Sequence, residues 1–269
     1  GIKDVPREEI KINPVSVNHF TWLTKAKYRD IDLFPVYEQF AETYYKDGCT
    51  EHAEPHWMNA GFERKEKVKI DLFRRYGIIP AAGDRHLAEF SPGKWYLKDP
   101  ETVKEWGFGL TTVSWRKADL KKRLQRSEDL RSGKEELKIN NTGEEGVLQM
   151  RAILGLCNLV TNVNIPNMGQ IPNLPIGAVV ETNAVFSDDS VTPVFAGEIP
   201  SKIYPLVARI CGEQEEISAA VAERDLGRIF NAFASDPLTT CSYEDAKVLF
   251  KEMVENTKEY LDMYDLSVL

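Results

Sequence analysis

Histidine and cysteine are scarce in this chain, four of each, and the cysteines stand far apart at Cys49, Cys157, Cys211 and Cys241. No CxxC pair occurs, so neither a zinc knuckle nor a disulfide framework is indicated. Four reduced cysteines in a cytoplasmic protein is the expectation. No apolar run approaches the roughly 20 residues that span a bilayer, and the opening Gly-Ile-Lys-Asp-Val-Pro has no hydrophobic signal core. Excess basic charge is missing too. The formal charge is −8, which argues against a nucleic-acid partner because counterion release needs a basic face. The Lys/Arg-rich stretch Arg116–Arg131 is interleaved with Asp119, Glu128 and Asp129 and reads as a solvated helix face. A G-x-G-x-x-G turn behind a strand is likewise absent, and no internal repeat is present.

What remains is an ordinary globular composition, 42% apolar and 28% charged, over enough length for one large domain or two small ones. Ile12 to Phe20 alternates as a strand that Pro14 places at an edge or bend. Helical periods run through Asp32–Lys46, Phe62–Tyr76, Ser114–Arg131 and Val147–Leu159. Trp95–Gly109, aromatic and glycine-containing, reads as a loop or lid. Val160 onward is β-rich, and Asn164–Gly177 is a polar, proline-rich loop. Ala178–Phe186 and Val191–Ala196 form a hairpin through Ser187–Ser190. Helices starting at Pro200, Leu226 and Tyr243 follow, the last capped by Ser242, and no chemistry is placed on them. The expected fold is mixed α/β, helix-dominated, with a small antiparallel sheet.

Chemistry concentrates elsewhere. Pro80–Phe90 sets Asp84, Arg85, His86 and Glu89 behind the small turn Ala81-Ala82-Gly83, which leaves room for close approach to the backbone. Asn18-His19 stands where the first strand runs out, a favourable place for a ligand or catalytic group. His52 and His56, four apart, invite a zinc-hydrolase reading. The pattern is not His-Glu-x-x-His, and Pro55 disrupts the helix that would put both rings on one face.

Four motifs in order then carry a resemblance. They are Val17-Asn18-His19-Phe20-Thr21-Trp22, Gly83-Asp84-Arg85-His86-Leu87-Ala88-Glu89-Phe90, Glu144-Glu145-Gly146-Val147, and Asn164-Ile-Pro-Asn-Met-Gly-Gln170-Ile-Pro-Asn173-Leu-Pro followed by Val179-Val180-Glu181. Together they resemble glycoside hydrolase family 4 across essentially the whole chain, most closely its α-galacturonidase and α-galactosidase branch. The resemblance implies a lactate-dehydrogenase-like C-terminal domain over residues 1–269, used for substrate binding and oligomerisation. The Gly-rich NAD-binding domain is not in this sequence. It also implies a glycosidase that depends on NAD and manganese, and that departs from the usual carboxylate pair. In that chemistry NAD oxidises the sugar at C3, a base takes the C2 proton, the aglycone is eliminated, and the metal stabilises the enediolate.

Residue by residue, the resemblance makes Asp84 the base and His19 the metal ligand. Asn18, Arg85, His86 and Arg116 become sugar contacts, and Asn164 and Asn173 lie in the segment closing over the sugar and nicotinamide. Arg85 and Arg116 suit a uronide carboxylate, though a phosphorylated sugar would also want arginine. The family's metal cysteine has no match ahead of His19. The chain is therefore expected to be a C-terminal part, inactive alone, with a carbohydrate ligand and a dimer or tetramer as its assembly. Two alternatives stay open: a non-catalytic oligomerisation and substrate-binding module, and a 6-phospho-glycosidase of the same family.

Overall fold

The computed structural model describes Val5 and residues 9–49, 65–138 and 145–268. His52, His56 and Glu144 lie outside them.

The first sheet is built on β1 (Ile10–Val15) and β2 (Trp22–Tyr28), paired antiparallel, with β3 (Ile31–Asp32) and β4 (Ile79–Pro80) both pairing with β2. The expected strand over Ile12–Phe20 therefore stops at Val15. Pro14 lacks an amide hydrogen for the ladder, and the register shifts between Asn13 and Pro14. The sequence reading does not include β2. Its Lys25-Ala26-Lys27 centre carries little apolar signal, and three partner strands settle its conformation.

Helix α1 (Phe34–Tyr44) packs on α2 (Lys67–Tyr76), whose Val68, Ile70, Leu72 and Phe73 are buried. Gly77 ends α2 in the left-handed region, φ 67°, donating its amide to the Phe73 carbonyl. Helix α3 (Asp84–Phe90) follows β4 directly. The expected lid over Trp95–Gly109 is instead part of the core. Asp99 caps α4 (Pro100–Trp106) by accepting the Thr102 amide, and Gly107 closes it at φ 70°. Tyr96 is fully buried, edge-on to Trp106, and donates its hydroxyl to Asp71 at 2.6 Å. Aromatic content signalled packing here, not mobility.

Helix α5 (Val113–Arg131) buries no residue, as its charge pattern predicted. Helix α6 (Gly146–Ile153) is shorter than expected. The chain turns through Gly155, φ 71°, into the second sheet, where β5 (Leu159–Pro166), β6 (Val179–Ser187) and β7 (Ser190–Pro193) pair antiparallel in that order. The C-terminal helices are α7 (Tyr204–Glu223), α8 (Leu226–Ser235) and α9 (Tyr243–Thr257). Ser242 caps α9 as the sequence suggests, accepting the Asp245 amide.

One cluster ties the first sheet to the rest: Val15, Phe20 and Trp22 meet Val68 and Leu72 of α2, Leu87 of α3, Ile171 and Leu174 of the long loop, and Val207 and Ile210 of α7. Each such large apolar side chain contributes roughly 1.5–3 kcal/mol on burial. This cluster fixes α3, the β1–β2 turn and the loop against one another, and the candidate site is made from those pieces. The architecture is the expected mixed α/β, rich in helix, with small antiparallel sheets.

Candidate functional site

The β1–β2 connection folds tightly. Phe20 donates its amide to the Val17 carbonyl at 3.1 Å, and the two residues between, Asn18 and His19, have φ of 48° and 65°. Consecutive left-handed residues make this turn of the I′ type. Asparagine tolerates such a conformation and histidine is enriched there among non-glycine residues, but each still carries a local cost. The reward is exposure: both side chains stand out from a connection whose Val17 and Phe20 are buried.

The His19 ring lies over the His86 ring of α3, centroids 5.0 Å apart and planes 13° from parallel. The two motifs, 67 residues apart in sequence, thus meet face to face. His86 Nδ1 pairs with Glu89 Oε2 at 2.9 Å, one turn along α3. Arg85 Nη1 donates to the Thr111 hydroxyl at 2.7 Å, and Arg116 Nη2 reaches the same oxygen at 3.5 Å. Two guanidinium groups therefore converge on one point beside α3, although Arg116 sits on an exposed helix.

Asp84 is buried to 1% exposure at the first residue of α3. Its Oδ1 accepts the amide of Lys69 at the start of α2, 3.0 Å away, while Oδ2 is buried without a partner. Burial pushes the carboxyl up to about 6; the Lys69 amide opposes this, the nearby Glu66 charge adds to it, and the Lys69 charge and Val68 amide oppose it further. An acid in this state is a proton acceptor near neutral pH. It is not among the residues lining the cavity described next.

That cavity, about 290 Å³, is lined by Asn18 and His19 of the turn, Asn164 of β5, Val179 and Glu181 of β6, and Gln214 of α7. Asn164 and Glu181 are direct cross-strand partners. An isolated bridge between Ser16 and Glu181, with the Glu181 amide on the Ser16 carbonyl at 3.0 Å, ties the two sheets together where the cavity opens. Asn18, His19 and Asn164 are thus brought together. Arg85, His86 and Arg116 form a neighbouring group joined through the histidine stack. Asn173 stands apart: both its amide atoms are taken by the backbone of Ile199, each at 2.9 Å.

Glu181 and Gln214 were given no role from sequence. Glu181 is the one acid in a strand of small and β-branched residues, on the face opposite buried Val180, Thr182 and Ala184, and that alternation was a usable signal. Gln214 carried none. It lies in a C-terminal helix on which no chemistry was placed, and only packing brings it to the cavity.

Among the described residues no group of three or more His, Cys, Asp or Glu is gathered as a metal site. His19 offers a single imidazole, so these residues do not by themselves hold a metal ion. All four cysteines are free, and no described helix is long and apolar enough to cross a membrane.

Residues 15–239 match the family 4 glycosyl hydrolase C-terminal domain. The chain is 59% identical over 262 residues to the α-galacturonidase of Thermoanaerobacterium saccharolyticum, covering 97% of this chain and 56% of that one. The crystal structure of LplD from Bacillus subtilis superposes with a TM-score of 0.86 at 45% identity, covering 94% of this chain and 57% of that one. The 6-phospho-β-glucosidase of Thermotoga maritima, solved with manganese, NAD+ and glucose 6-phosphate, shares the fold, with a TM-score of 0.68 at 17% identity over 96% of this chain and 56% of that one. The chain therefore spans about half the length of the curated relatives it matches. On this match and these likenesses, the chain belongs to glycoside hydrolase family 4, of which it carries the C-terminal domain.

Proposed function

We propose that this chain is the sugar-binding C-terminal part of an enzyme that hydrolyses α-galacturonides. The observation that carries the reading is the stack of His19 on His86, which joins the Asn18-His19 turn and its cavity to the helix bearing Asp84 and Arg85. Asn18, His19 and Asn164 offer amide and imidazole groups to sugar hydroxyls. Arg85 and Arg116, whose guanidinium groups both reach the Thr111 hydroxyl, place positive charge where a uronate carboxylate would be drawn and a neutral galactoside would not.

Asp84 is the base in this reading. Its raised pKa keeps it competent to take a proton at neutral pH, its Oδ1 is fixed by the Lys69 amide, and Oδ2 has no hydrogen-bond partner. NAD and manganese, named with the Thermotoga relative, would supply redox and Lewis-acid chemistry to the whole enzyme.

The test is calorimetric titration of this chain with D-galacturonate, D-galactose and glucose 6-phosphate. The reading expects galacturonate to bind at least 10-fold more tightly than galactose, and Arg85→Ala and Arg116→Ala each to erase that preference. Tighter binding of glucose 6-phosphate than galacturonate would overturn it in favour of a phospho-glycosidase. Cleavage of an aryl α-galacturonide with NAD and manganese, by the longer enzyme that carries this domain, is expected to fall at least 100-fold in Asp84→Asn.

A further inference from the structure

Among the described residues that line the cavity one is an ionisable acid, Glu181, and the protein has pinned it without using it up. Asn162 Nδ2 donates to Oε1 from the neighbouring strand, and the Thr21 hydroxyl reaches Oε2 at 3.2 Å. That hydroxyl also lies 2.9 Å from the Ser16 hydroxyl, so its single hydrogen is shared. A carboxylate has about four acceptor positions. Protein donors occupy two, one of them in part, and the half-buried side chain lines the cavity. The side chain sits in a strand whose register is fixed on both sides, by β5 and by the Ser16 bridge, so its oxygens are held in place before any ligand arrives.

We infer that Glu181 is the anchor for a pair of neighbouring hydroxyls on the sugar. It accepts from both, while Asn18, Asn164 and Gln214 complete the polar wall. A preformed acceptor pair favours a ring bearing a vicinal diol and disfavours a ligand group of its own charge. The uronate carboxylate is therefore directed away from β6, and the hydroxyl edge of the ring toward it. Glu181 so sets the orientation in which the sugar lies. The inference rests on the sugar-binding reading above, but it concerns hydroxyls and not the carboxylate, and the two fail separately.

The experiment titrates this chain, and its Glu181→Gln and Glu181→Asp variants, with D-galactose, D-galacturonate and the 2-, 3- and 4-deoxygalactoses, with thermal unfolding as the check on folding. Wild-type binding of galactose should weaken about 10-fold in Glu181→Gln and galacturonate by a similar factor, with Glu181→Asp intermediate. Two adjacent deoxy sugars should bind the wild type at least 5-fold more weakly than galactose, yet bind Glu181→Gln no more weakly than galactose does. Unchanged affinity in a folded Glu181→Gln variant, or deoxy penalties of equal size in both proteins, would overturn the inference, as would a wild-type chain that binds none of these sugars. If Glu181→Gln behaves as stated while Arg85→Ala leaves the galacturonate preference intact, the orientation role stands and the uronide reading falls.

Discussion

Two buried polar regions flank the candidate site, and they solve the cost of burial in opposite ways. In the long loop, Asn167 is fully buried and Gln170 nearly so, yet every amide atom is used. The two hydrogens of Asn167 Nδ2 are shared among the carbonyls of Ile171, Leu174 and Pro175, each 3.0 Å away, and its Oδ1 accepts the amides of Gly169 and Ile171. Gln170 accepts the Met168 amide and donates to the Pro166 carbonyl. Across the core, Asp84 is equally buried but has one oxygen with no partner, next to Glu66 and Lys69, themselves paired at 2.6 Å. Neutral amides that satisfy a loop give it shape at little cost. An acid left half satisfied lowers stability, and such a group marks function more reliably than burial alone.

The sharpest way to break this contrast is Asn167→Ala. It strips every partner of both amide atoms, three carbonyls and two amides, at a fully buried position and leaves those loop groups short of a partner. Chemical denaturation should show a loss of about 3–4 kcal/mol. A loss under about 1 kcal/mol would mean that the prolines alone shape the loop.

Asp84→Asn should act in the other direction. The folded-state pKa of about 6 lies above the ordinary carboxylate value. The native state therefore holds a proton that the unfolded chain releases, and stability falls as pH rises from about 4 to about 6, staying low above that. Removing the charge should stabilise the fold by about 2–3 kcal/mol at pH 8 and change little at pH 4, read as Tm at the two pH values. Equal shifts at both would show that the carboxylate charge is not the cause.

Asn173→Ala removes two hydrogen bonds to Ile199 at a half-buried position, and a loss of about 1–2 kcal/mol should follow. Smaller still, Glu66→Gln should lower the pKa of Asp84, because the Glu66 charge is one of the groups raising it. A carboxyl titration of the variant by NMR checks the direction; an unmoved or raised Asp84 would break the coupling.

How much of this was legible beforehand depends on the range of the interaction. The helices α2, α5 and α9, the β6–β7 hairpin and the cap at Ser242 follow from local chemistry: apolar period, turn residues, a hydroxyl beside free amides. β2 and the packed aromatic segment around Tyr96 did not, because strand pairing and burial against distant helices decided both. The motifs at Asn18-His19 and Asp84–Glu89 stood out by residue type, whereas their meeting through a ring stack is a property of the core that holds α3 against the β1–β2 turn.

The sequence by itself determined which side chains carry charge, that the chain is acidic and without a metal-finger pattern, and the family to which the motifs point. Tertiary structure alone decided that Asp84 is buried against the α2 amide, that Arg85 and Arg116 share Thr111, and that Glu181 and Gln214 share a cavity with Asn18 and His19. The physical reason is common to all three. A residue's intrinsic chemistry is local, but its solvation, its partners and its pKa depend on which remote elements close around it, and those are fixed only when the core packs.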